Sequence, residues 1–115
     1  MFDSAIYRRS MLGRRNRLQR ALEFAAQADR LPDVHLSRSR ATLSELESAI
    51  FVINTIIARL EGTSKSESES NAFLIEEFLK GEVLPFRAVL LNAQEEMTRN
   101  IENLNRAMSA LNKGQ

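Results

Sequence analysis

Residues 41–62 read ATLSELESAIFVINTIIARLEG, and the spacing of their apolar side chains decides the fold. Leu43, Leu46, Ile50, Ile53, Ile57 and Leu60 follow one another at steps of three and four. Leu36, Leu43, Ile50 and Ile57 fall seven apart. That spacing lays a continuous seam along one side of a helix, and a helix with such a seam must bury it. With Val52 and Ile56 added, the apolar arc covers about half the helix circumference, wide enough to touch two neighbours at once. Ile53 lies at its centre. Phe51 falls outside the arc, on the same side as Ala58, and is a candidate contact for another subunit.

Working outward, the breaks are few. Leu31-Pro32 ends a first helix predicted over 4–30, since a residue before proline avoids helical geometry while proline suits the first turn of a new helix. A second helix is predicted over 33–61, with Asp33 near its positive end and Gly62 as a left-handed stop. The serine-rich stretch 62–70 reads as the one clear loop, with Ser66 and Glu69 spaced for a capping box. A short helix over 70–80 carries Phe73, Leu74, Phe78 and Leu79, and a last helix over 84–112 starts at or kinks at Pro85. In the last helix Val83, Leu90, Met97, Leu104 and Leu111 recur every seven residues, joined late by Ile101 and Met108. Arg87 and Gln94 interrupt the earlier half of that seam.

The three long helices have about 28 residues each, roughly 42 Å. Matched lengths and short connections predict an all-α, up-down fold: an antiparallel three-helix bundle of coiled-coil-like helices in a single domain, 1–115, with the short helix capping one end. At 115 residues, with 43% hydrophobic and 27% charged residues, such a core is within reach without disulfides or metal.

The chain offers little to catalysis: one histidine, one tyrosine, no cysteine and no tryptophan. Nothing in the sequence pairs His35 with an orienting acid, and it reads as a surface residue. Glu76-Glu77 and Glu95-Glu96 lack the histidine three residues on that helical carboxylate metal sites use, and adjacent helical residues point about 100° apart. Glycine-rich phosphate loops and nucleophile elbows are missing too. The expectation is a non-enzymatic protein with no catalytic, cofactor-binding or metal-binding residues.

Charge is the strongest functional signal. Residues 1–40 hold nine arginines against four acids, net +5, while residues 41–115 are net −4. Arg8, Arg9, Arg14, Arg15, Arg17 and Arg20 lie within thirteen residues. Stepped by about 100° they point all round the helix, which conflicts with lying in a membrane surface and with burying that half against a core. Either their stems drape over apolar neighbours while their heads meet water or the acidic last helix, or this half projects as a basic arm. An arm would serve an acidic protein; the alternative is a nucleic-acid backbone. The start resembles a mitochondrial presequence in its arginine content, although Asp3 speaks against that. With no run of 18 apolar residues, the expectation is a soluble cytoplasmic interaction module: an adaptor, assembly subunit, secretion-type chaperone or regulator-binding protein, self-associating or binding a protein through helical faces.

Overall fold

The computed structural model describes residues 2–27 and 32–113, and every regular element in them is helical. Helix α1 spans Ala5–Ala26, α2 Pro32–Ser66, α3 Glu69–Phe78 and α4 Leu84–Lys113, with a π turn at Leu79–Val83 between the last two. The chain is an all-α helical bundle.

Proline opens α2 as its fixed φ allows, with Asp33 in the first turn. The other boundaries differ from the sequence reading in three ways. Residues 28–30, expected in the first helix, lie outside the described residues. Gly62 does not stop α2: no described glycine has a positive φ, and the helix runs on to Ser66. The loop shrinks to Glu67 and Ser68, and no capping box forms. Instead the Ser66 hydroxyl donates to the Thr63 carbonyl at 3.1 Å and the Asn71 amide to Glu67 at 2.9 Å.

The short helix does not fold across the bundle end. Phe78, Leu79 and Leu84 all keep right-handed helical dihedrals, so α3, the π turn and α4 form one continuous rod from Glu69 to Lys113. Pro85 is the physical reason for the π turn. Proline has no N–H, and in a regular helix its ring would press on the carbonyl four residues back, that of Gly81. The Leu84 N–H reaches five residues back to the Leu79 carbonyl, which widens the turn ahead of the proline.

Helix α2 is the hub, packing along α4, α3 and α1. The Thr42 hydroxyl lies 3.2 Å from the Ala21 carbonyl, and Arg38 donates to the Phe24 carbonyl at 3.1 Å. Earlier in α1, Leu18 shares a cleft with Leu46, Ala49 and Val52, so α1 and α2 run in opposite directions. The turn at 67–68 reverses the chain again, and Arg87 of α4 donates to Asn54 of α2 at 3.3 Å.

Leu46, Ile53, Ile75, Val83 and Leu90 have no accessible surface, and Leu60 has almost none. Ile53 is core, as its place in the arc requires. The seam of the rod keeps its expected line at Val83, Leu90 and Met97 and gains Phe86 and Ala93, so the buried residues again follow at steps of three and four. Arg87 and Gln94 are flank residues beside that seam. Further on, Ile101, Leu104 and Met108 are half-buried, and Leu111 is exposed. One 18-residue window of α2 reaches a mean hydropathy of 1.4, enough in length and apolarity to cross a bilayer. In the fold its Leu46, Ile50, Ile53 and Ile57 belong to the core shared with the other helices.

Candidate interaction surfaces

The first helix is built on a narrow seam. Met11, Leu18 and Ala25, seven apart, are its buried residues. Tyr7 and Leu22 pack beside the core, as does Phe2 just ahead of the helix. Phe2, Tyr7 and Phe78 form an aromatic trio with ring centroids 5.8–6.2 Å apart, and the Phe2 N–H donates to the Asn71 side chain. The first half of α1 is therefore docked along its length, and no arm projects.

Docking sorts the arginines. Arg8 and Arg15, seven apart, flank the seam on the side of the composite rod. The Arg8 guanidinium lies 5.5 Å from the Phe78 ring centroid, and that of Arg15 lies 5.2 Å from Phe86. Arg8 also forms a two-pronged ion pair with Glu82 of the π turn, Nη2 to Oε2 at 2.6 Å and Nε to Oε1 at 2.9 Å. That hydrogen bond holds the Glu82 carboxyl below its ordinary value against opposing desolvation, and raises Arg8 above its own. Arg14 is half-buried on the opposite flank and donates to the Ser10 hydroxyl at 3.0 Å. With Arg17 it borders a 70 Å³ cleft whose far wall carries Glu45. The draped reading holds for these stems, with a different destination: rings and the π-turn carboxylate, where the sequence suggested the acidic face of the last helix.

Arg9, Arg17 and Arg20 remain. They are exposed, and none has a carboxylate within ion-pair distance among the described residues. Arg20 only folds back along its own helix, donating to the Asn16 carbonyl at 3.5 Å. Stepped by about 100°, Arg9, Arg20 and Arg17 lie within a sector of about 80° over roughly 16 Å of helix, Arg9 and Arg20 opposite Met11 and Leu18 and Arg17 at the edge that borders the cleft with α2. Six arginines point all round α1, but the three that the fold leaves over form a stripe. Sequence alone could have separated them once Met11, Leu18 and Ala25 were taken as the buried line.

Phe51 is 73% exposed on α2, off the core as its place outside the arc implied. Glu76, Glu77, Glu95 and Glu96 are exposed, and His35 is half-buried near the start of α2. Compared with known proteins, the chain matches no family model, no curated protein and no solved structure.

Proposed function

We propose that this chain is a non-enzymatic protein–protein interaction module that receives an acidic protein partner on the outer face of α1. The observation that carries the reading is the division among the arginines. Arg8, Arg14 and Arg15 engage other side chains of the fold, while Arg9, Arg17 and Arg20 are exposed along one stripe with no side-chain partner among the described residues, Arg20 bonding only to a carbonyl of its own helix. Guanidinium is weakly hydrated and matches carboxylate in a planar, two-pronged fit, so such a stripe suits aspartate and glutamate side chains on a partner surface. Its setting is a rigid helix on a packed bundle, as an adaptor, assembly subunit or regulator-binding protein uses. An intracellular, soluble setting goes with this reading.

The test is titration of the chain with polyglutamate and, separately, with a DNA duplex, each at rising salt. Binding to polyglutamate that weakens about tenfold or more in Arg9→Gln/Arg17→Gln/Arg20→Gln, with the helical signal intact, supports the proposal. Tight duplex binding with a steep salt slope and no binding to polyglutamate would replace it with the nucleic-acid reading.

A further inference from the structure

The outer face of α2 carries a second seam that the described residues leave exposed. From Ala41 the steps of three and four run through Ser44, Ser48, Phe51, Thr55 and Ala58, the same spacing as the core seam on the opposite side, and all six are exposed. Around Phe51 the floor is small. A phenylalanine standing on such a floor leaves a large apolar surface in water while its neighbours offer room for a similar ring.

We propose that this face binds a second copy of the chain, with the two α2 helices antiparallel and each Phe51 lying over Ser48 of the other copy. Reversal makes the face its own complement, which a two-fold interface requires. It sets Phe51 against Ser48, Ser44 against Thr55 and Ala41 against Ala58, so each ring meets a small residue and the remaining layers close on small ones. A parallel pairing would force both rings into one layer and leave the others unfilled.

Charge agrees with reversal. Arg40 and Glu61 lie on the same flank of the seam, and neither has an ion-pair partner among the described residues. In the antiparallel register Arg40 of each copy comes opposite Glu61 of the other, twice per dimer. On the other flank Arg38 would approach Arg59, but Arg38 is held 4.0 Å from the Phe24 ring centroid and donates to the Phe24 carbonyl. The repulsive pair is thereby turned away. This face shares no residue with the basic stripe of α1, although Ser48 and Arg17 border one cleft, so a failure of the α2 pairing is distinguishable from a failure of the stripe.

Sedimentation of the full chain from low-micromolar to sub-millimolar concentration tests the proposal. The expected result is a monomer–dimer equilibrium, weakened about tenfold or more by Phe51→Asp with the helical signal intact. Arg40→Glu should weaken it too, and Arg40→Glu/Glu61→Arg should restore it, since both cross-pairs are then rebuilt with reversed sign. Because the chain has no cysteine, single variants Ala41→Cys and Ala58→Cys can be mixed and oxidised. Cross-linking between the two variants supports the antiparallel register. A chain monomeric at every concentration, a dimer indifferent to Phe51→Asp, or each cysteine variant cross-linking only with itself would overturn it.

Discussion

A single residue can carry two assignments on this surface, and arginine shows how. Arg8 is charged and exposed, yet its guanidinium lies over the Phe78 ring and grips Glu82. The sequence revealed the cluster but not the partners of the docked arginines, because those depend on which flank of α1 faces the π turn. The pair has a pH signature. A carboxyl held below its unfolded value adds stability that is present above the ordinary carboxylate range and lost as pH falls through the lowered value. The thermal midpoint of the wild type should therefore exceed that of Glu82→Gln at neutral pH, with the gap closing as pH drops below about 4. A gap that stays constant into strong acid would mean the ion pair does not form in solution. In the core the residue scale is simpler. Ile53 has no accessible surface, so Ile53→Ala removes buried methyl groups and leaves a cavity costing about 2–5 kcal/mol, to be read from urea unfolding. A midpoint within error of the wild type would remove α2 from the centre of the bundle.

At the scale of elements, the α2 seam was legible because steps of three and four are written directly in the residues. The end of α2 was not. Glycine suits a left-handed stop but does not impose one, and Thr63 to Ser66 are tolerable in a helix when their hydroxyls bond backward, as Thr63 does to the Arg59 carbonyl. The register of α4 was half legible. Following Val83 in sevens picks out Leu90 and Met97 correctly, but the companion positions upstream are Phe86 and Ala93, while downstream they are Ile101 and Met108. A seam that changes flank in mid-helix looks, in sevens, like one interrupted by Arg87 and Gln94. The continuous rod was hidden for another reason: Pro85 signals a break, and only the backbone shows that a π turn absorbs it. Gly62 gives the element-scale prediction. It sits within α2, without positive φ, and a Cβ placed there meets nothing within 4 Å. Gly62→Ala should raise stability by about 0.4–1 kcal/mol through lower unfolded-state entropy and better helix propensity. A destabilised variant would restore Gly62 as a left-handed cap.

At the scale of the molecule, one helix sets the dimensions. The rod from Glu69 to Lys113 should measure roughly 67 Å at 1.5 Å per residue, and the long axis is 68 Å, against 20 and 16 Å across. The proposed dimer makes a distinctive demand on this shape. Its two-fold axis passes α2 between residues 49 and 50, midway between Ser48 and Phe51. Arg87 bonded to Asn54 fixes the level of α4 beside α2, so the axis crosses the rod near residue 91, its midpoint. Both rods are therefore centred on the axis, and reversing one copy against the other adds thickness without length. Small-angle scattering over a concentration series should show the forward-scattered intensity per unit mass rising towards twofold, while the longest dimension stays near that of the monomer. Association through the exposed end around Leu111 would instead nearly double the longest dimension, because the copies would then meet tip to tip. A longest dimension that grows in step with mass would move the contact from Phe51 to the end of α4.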